Sequence, residues 1–358
     1  MSWDKPFLNY NQQLEKLFNE HNIMCSNNLK VDKTLLESLS YYDLINGYQD
    51  CFINNSNITD LSLIDLFYFK VFDMNFQNIL FKYSIYAENS FKTKLAYILG
   101  ENYGVHINDY LNINNFSYSR RNRIKLNSIL RNIKNEASHT NDEPTKHYRE
   151  NHNHIPAWIL FKNVSFNDCI NLHTFLKSNI KLNLIKRFFE ISTFTDDDYF
   201  RMFKSFISII RKFRNKIAHN AKFITYRVEE EYELIQNKVF SLNPYSLMRG
   251  NDFNSQLGRN DIFSMILSLC IILDNPFLVR TMLYEIKAVL NFPFENLNVN
   301  IIEEYIKITQ LPTNLIDRID NINFEDILKK HLQKWWICFT KKDPAGNRVL
   351  KYKWYINI

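Results

Sequence analysis

Glycine and proline are scarce in this sequence, 6 and 8 among 358 residues. An all-β protein turns every few residues and draws on both to do so. The scarcity therefore argues against a strand-rich fold and favours long helices. Paired cysteines are missing too. Cys25, Cys51, Cys169, Cys270 and Cys338 stand apart without a CxxC pair, a spacing that fits neither a zinc site nor a disulfide framework. They are expected as buried, reduced thiols of a cytoplasmic protein. No apolar run approaches the about 20 residues of a membrane span. The longest, residues 262–273, contains Ser264 and Ser268 and reads as a buried helix, so no membrane partner is expected. Residues 1–10 are polar and hold no apolar segment of a secretory signal. P-loop, GxGxxG, GxSxG and HExxH patterns are all absent, which leaves nucleotide-driven, hydrolase-triad and zinc-protease chemistry without support.

What is present is an ordinary globular composition, 46% hydrophobic and 23% charged, with a net charge of +6. Disorder is not expected to dominate. Residues 321–358 carry eight basic residues against three acidic ones, so nearly all of the excess lies in the tail. The periodicity predicts a mainly all-α fold. Short helices occupy the first residues, and a long helix over residues 61–99 carries Leu66, Val71, Phe72, Ile79, Leu80, Ile85 and Leu95, closed by Gly100 and Gly104. Residues 120–135 form a short basic helix. Residues 139–154 read as a polar, His-rich loop. Pro156 opens the next helix, which residues 165–168 interrupt and residues 170–180 continue. Thr195 and the three aspartates after it mark the start of the best-defined helix, whose apolar stripe is Phe203, Phe206, Ile207, Ile210, Phe213 and Ile217. Asn220 suits the left-handed conformation that ends it. Further helices follow over residues 239–319. Two aromatic, β-branched stretches, 334–340 and 348–356, flank the turn signal at 343–347 and predict a small C-terminal β-hairpin. The chain divides into an N-terminal helical segment (1–55), a helical core (56–240), a C-terminal helical segment (241–320) and a basic aromatic tail (321–358).

The best-defined helix ends in Arg214-Asn215-Lys216-Ile217-Ala218-His219. Metal-free RNA cleavage needs a base for the 2′-OH proton, an acid for the leaving 5′-oxygen and a cation for the charge developing at phosphorus. Histidine moves protons near neutral pH, and arginine brings a permanent forked charge suited to phosphate oxygens. Asn215 and His219 are four apart and share a helix face; the long Arg214 side chain reaches round to it. The bare R-x4-6-H pattern arises about once by chance in such a chain. A second match, Arg149 to His154, falls in the polar loop and is taken as chance. Read as structure alone, the motif is a surface arginine with a histidine favoured by the negative end of a helix.

Other residues admit two readings. Glu88 and Lys92, spaced i, i+4, are a surface ion pair worth a few tenths of a kcal/mol or a pair bordering the active site. His139, His147, His152 and His154 crowd one segment, but no cysteine or clear carboxylate set accompanies them; no metal and no cofactor is expected. Trp335, Trp336, Lys351 and Lys353 in the tail suit base stacking and phosphate contact. They equally suit a hairpin that packs its aromatics on the helical body and guards its edge with lysines.

An ordered set of short segments resembles the abortive-infection proteins of the AbiD/AbiF (Abi-2) type. It runs through Lys5-Pro6, Tyr10, Ser40-Tyr41-Tyr42 with Leu44 and Gly47-Tyr48, Glu88 followed by Lys92-Thr93-Lys94, His147-Tyr148, Pro156-Ala157-Trp158, Ser165-Phe166, and Arg214-Asn215 with Ala218-His219. Together these cover residues 5–225. The resemblance implies a HEPN-like helical bundle and a metal-independent endoribonuclease. Arg214 and His219 would be its active pair, Asn215 an assistant, Glu88 an active-site neighbour, and Lys92 and His147 RNA contacts. It further implies a homodimer, or a complex with another HEPN chain, and RNA as substrate with no role for DNA. A toxin of this kind needs restraint in uninfected cells, and a regulatory small RNA or a protein antitoxin is expected to supply it. Two departures stand out. The family usually has glycine where Asn167 stands, a replacement suited to positive φ. Lys92 and Lys94 replace arginines, which keeps charge but loses the fork. The rival reading is a HEPN-fold module that binds or senses RNA without cutting it.

Overall fold

In a computed structural model, residues 5–26, 28–53, 61–220, 222–243 and 245–329 are described. They form helices α1 (Tyr10–His21), α2 (Leu29–Ser38), α3 (Gly47–Ile53), α4 (Leu63–Tyr103), α5 (Ile107–Tyr110), α6 (Arg123–His139), α7 (Thr145–Asn151), α8 (Ala157–Leu160) and α9 (Phe166–Thr174). After these come α10 (Ser178–Lys186), α11 (Asp196–Ala218), α12 (Gln236–Ser241), α13 (Gly250–Asn254), α14 (Ile262–Ile272), α15 (Pro276–Leu290), α16 (Ile301–Thr309) and α17 (Leu315–Asp320). Among the described residues the only β pairing is two isolated bridges, Met24 with Ser62 and Phe116 with Leu176. The fold is all-α, as the scarcity of turn formers requires. No helix among the described residues is long and apolar enough to cross a membrane.

The axis of the molecule is α4, 41 residues and so about 60 Å long. The Ser62 hydroxyl caps its start, accepting from the Asp65 amide, and Asp65 returns the bond to the Ser62 amide. Helices α2, α8, α9, α10, α11, α14, α15 and α16 all pack on it. Gly104, at φ 86, ends it. Gly100 was expected to help close this helix and instead lies inside it, beside the Trp158 ring.

The second organising element is α11. Its Thr195–Asp198 capping box is complete, and the Asp198 carboxylate also holds Lys238 at 2.8 Å. The Lys238 ammonium holds the Asp198 carboxyl down to about 2. Phe203, Phe206, Ile207, Ile210 and Phe213 are buried against α4, α10 and α14. Every residue of α14 is buried, as the apolar run at 262–273 predicts.

Several expectations need correction. Residues 139–154 are not all loop: α7 forms over Thr145–Asn151, anchored by the buried Thr145, whose hydroxyl donates to Asn163 Oδ1 at 2.6 Å. Two turns of helix with no apolar stripe have no periodicity to read. The helix expected to continue over residues 170–180 breaks after Thr174, and α10 restarts at Ser178. Asn167 lies within α9, and no positive φ is recorded there; Ser165 makes the break by capping α9 through the Asp168 amide. Of the thiols, Cys169 and Cys270 are buried, but Cys25 and Cys51 are only half-buried. The hairpin of the tail, with Trp335, Trp336, Lys351 and Lys353, lies outside the described residues.

Candidate active site

The last turns of α11 carry the motif against the middle of α4. Phe213 is fully buried and anchors the turn between the Phe223 and Tyr226 rings. One residue on, Arg214 leaves the core with its side chain about one third exposed. Its Nη2 lies 3.5 Å from Glu88 Oε2, and its Nη1 donates to Asn215 Oδ1 at 3.3 Å. The guanidinium also lies 5.9 Å from the centre of the Phe81 ring. The other Glu88 oxygen binds Lys92 Nζ at 2.7 Å. One carboxylate thus holds two cations, and the cluster of Glu88, Lys92 and Arg214 keeps one positive charge in excess.

This overturns the picture of a surface ion pair. Glu88 and Lys92 are each only 9% exposed. In that setting removing Glu88 leaves Lys92 buried without a counter-ion, at a cost of several kcal/mol rather than tenths. Sequence spacing finds the Glu88–Lys92 pair. It does not find the Glu88–Arg214 contact, which joins residues 126 positions apart and depends on how α11 crosses α4.

His219 caps the C-terminus of α11, its amide bonded to the Asn215 carbonyl at 3.1 Å. Its imidazole is exposed and makes no hydrogen bond or ion pair among the described residues. Asn220 follows in the left-handed conformation, φ 48, as expected of a helix-ending asparagine. Its Oδ1 accepts from Lys70 Nζ at 3.4 Å. Lys70 is a buried lysine of α4, 7% exposed, lying against the Tyr48 ring at 5.6 Å. One turn further along α4, the fully buried Asp73 accepts hydrogen bonds from Tyr48 at 2.6 Å, Tyr305 at 3.1 Å and Gln77 at 2.7 Å. Burial pushes its carboxyl up to about 6, against the pull of those donors and of Lys70.

Lys70 and Asp73 were not among the residues singled out from sequence. A signal for them existed. Lys70, Asp73, Gln77, Ser84, Glu88 and Lys92 fall at i, i+3, i+7, i+14, i+18 and i+22, one face of a single helix. All six are buried. These six polar residues thus form a seam inside the molecule, while Asn75, Asn78, Lys82 and Asn89 of the same helix are exposed.

The remaining residues lie elsewhere. His147 is exposed on α7, which packs on α6 and α8. Its ring neighbours are Tyr148 and His152, at 6.1 Å and 5.6 Å, and no hydrogen bond, ion pair or ring contact among the described residues joins it to Arg214 or His219. His173, on α9, is no candidate for proton transfer. It is enclosed by Phe91 and Phe203, and burial lowers it to about 3. Burial raises the nearby Cys169 thiol to about 12, which removes it as a nucleophile.

An all-helical protein with an Arg-Asn…His motif at the end of a helix, its arginine held by a buried Glu88–Lys92 pair, is the class that fold and geometry define. The family model of Abi-like proteins matches residues 34–225, more than half of the chain, and the protein belongs to that family, the abortive-infection proteins of phage defence. The matched span holds Lys70, Asp73, Glu88, Lys92, Arg214 and His219; Tyr305 lies beyond it. No match was found among curated proteins or among solved structures.

Proposed function

We propose that this Abi-like protein is a metal-independent endoribonuclease of HEPN type that acts in abortive infection by cutting RNA. The observation that carries the reading is the pairing of an anchored arginine with an unengaged histidine. Glu88 and Asn215 fix the Arg214 guanidinium while a third of it stays open, and the exposed His219 stands five residues on, about 7 Å along the helix.

In the reaction the RNA 2′-oxygen attacks the adjacent phosphorus, and the bond to the 5′-oxygen breaks. The 2′-OH proton goes to a base, and the departing 5′-oxygen takes a proton from an acid. His219 is the proton-transferring group, Arg214 binds the non-bridging oxygens as charge builds on them, and Asn215 orients the arginine. One histidine cannot serve as base and acid in the same step, so the working unit is a homodimer in which a second copy supplies the other. RNA is the substrate, and restraint in uninfected cells comes from a regulatory RNA or a protein antitoxin.

The rival, an RNA-binding or sensing module without cleavage, is favoured by one feature: Glu88 competes with phosphate for Arg214. The test is cleavage of labelled total RNA in EDTA by wild type and by Arg214→Ala/His219→Ala. Cleavage by wild type alone is the expected result. Equal RNA binding by both proteins with cleavage by neither would establish the rival.

A further inference from the structure

Residues 120–136 hold six cations, Arg120, Arg121, Arg123, Lys125, Arg131 and Lys134, against one anion, Glu136. All six cations are exposed, and none takes part in an ion pair among the described residues. Elsewhere, Lys82 of α4 binds Glu285 of α15, and Lys212 of α11 binds Glu229.

The placement of these cations works against α6 itself. Four of them crowd its N-terminal end, where the helix dipole is positive, and its first turn contains no acidic residue. Its N-cap residue, Asn122, makes no side-chain cap bond; its oxygen is turned outward to the Ser119 amide at 2.7 Å. The Arg123 amide bonds to the Ser119 carbonyl at 3.1 Å, and no side chain caps the Ile124 and Lys125 amides, which lie among the arginines. The start of α11, with three aspartates and a full capping box, is the arrangement that favours a helix on its own. The start of α6 favours an anion from outside.

The rest of the helix extends that end into a strip. Leu126, Ile129, Leu130, Ile133 and Ala137 are buried on the face that meets α9. Arg123, Asn127, Arg131, Lys134 and Ser138 share one sector of the exposed surface, spaced i, i+4, i+8, i+11 and i+15. From Arg123 to Lys134 the strip is about 16 Å long. Arg123 lies 6.0 Å from the Tyr118 ring, and Ile124 beside it is 81% exposed. The amides between the cations suit sugar and phosphate contacts. A single protruding isoleucine is too little apolar surface for a helix that lies in a membrane.

We infer that the outer face of α6 with the turn before it is an RNA-docking surface, which grips the backbone of a long RNA remote from the bond that is cut. The inference rests on the ribonuclease reading for the identity of the polyanion. Helix α6 packs on α9, and α9 packs on α4 and α11, so the strip is one helix layer removed from Arg214 and Glu88. It contributes affinity and placement, not chemistry.

The experiment uses full-length protein carrying Arg214→Ala/His219→Ala, so that RNA survives the measurement. Arg121→Gln, Arg123→Gln, Arg131→Gln and Lys134→Gln are added together. A control removes the same charge from other exposed faces with Lys30→Gln, Lys177→Gln, Arg201→Gln and Lys307→Gln. Binding of a labelled single-stranded RNA of about 30 nucleotides is followed against salt. Loss of four phosphate contacts lowers the salt slope by about 3 and weakens binding at least about 10-fold; the expected result is that loss in the α6 variant and not in the control. Equal losses in both, or none in either, overturn the docking surface. So does binding of the parent to vesicles rich in anionic phospholipid that the α6 variant loses while its RNA binding is intact. The two readings separate on a second measurement, cleavage by protein with Arg214 and His219 restored. RNA binding that depends on α6 without cleavage leaves the docking surface standing and removes the nuclease; cleavage with binding indifferent to α6 does the reverse.

Discussion

The Glu88 carboxylate binds Lys92 through one oxygen and Arg214 through the other, so its loss has two separable effects. Glu88→Gln keeps the shape and removes the charge. Lys92, buried, is left without a counter-ion, at a cost of about 3 kcal/mol, which thermal denaturation reads directly. Arg214 keeps Asn215 but loses its charged anchor. On the nuclease reading kcat falls about 10-fold or more with little change in KM, because the arginine acts on charge that develops during the reaction. Lost stability with an unchanged kcat would make the triad structural only. The arginine, asparagine and histidine were legible in the sequence because their relation is local: three residues within six positions of one helix. Glu88 was legible only as half of an i, i+4 pair. Its second partner comes from a distant helix, and no periodicity within either helix encodes a contact between them.

At the scale of the element, α4 explains what sequence patterning reads and what it misses. Its apolar residues surround it because helices pack on it from many sides, and such a helix is recognised by length and composition rather than by a single stripe. Six of its polar residues, from Lys70 to Lys92, look like a solvated face by the same rules, yet they are buried. The Asp73 network shows the consequence. An unfolded aspartate ionises near its ordinary value of 3.8; in the folded protein burial raises Asp73 to about 6. Between those values the folded chain keeps a proton that the unfolded chain gives up. The group's contribution is therefore fully present below about pH 4 and is lost as pH rises through 6. Relative to Asp73→Asn, which cannot titrate, wild type should lose on the order of 3 kcal/mol across that window. Denaturation of both proteins at pH 4, 5, 6 and 7 measures the difference; parallel curves would show that Asp73 is ionised throughout. Tyr48, Gln77 and Tyr305 donate to the carboxyl and Lys70 lies beside it; burial pushes both phenols up, away from this window. Lys70 also holds Asn220, so the same comparison made on RNA cleavage reports whether the seam positions the turn after His219.

For the whole molecule, the decisive matter is that each chain carries one Arg214 and one His219, with His219 exposed at the end of its helix. The Arg149–His154 match supplies no second set, since Arg149 donates to the Ala137 carbonyl and meets Glu150 on α7. On the proposed reading the second proton carrier comes from a second copy, and a two-fold arrangement brings the same surface of each to one site. The stoichiometry is testable without knowing the interface. Wild type is co-expressed with an equal amount of Arg214→Ala/His219→Ala so that subunits pair at random. If both copies of a dimer must be intact, activity per total protein falls to about a quarter of that of wild type; if each chain acts alone it falls to about half. Excess inactive chain sharpens the contrast, because the dimer loses activity with the square of the wild-type fraction and the monomer only in proportion. A proportional decline would place base and acid within one protomer and send the search for the second proton carrier back to the neighbours of His219. A squared decline would assign it to the partner copy and make protomer concentration itself a control on the nuclease, so that a cell holding the protein below its dimerisation range is spared until infection changes the balance.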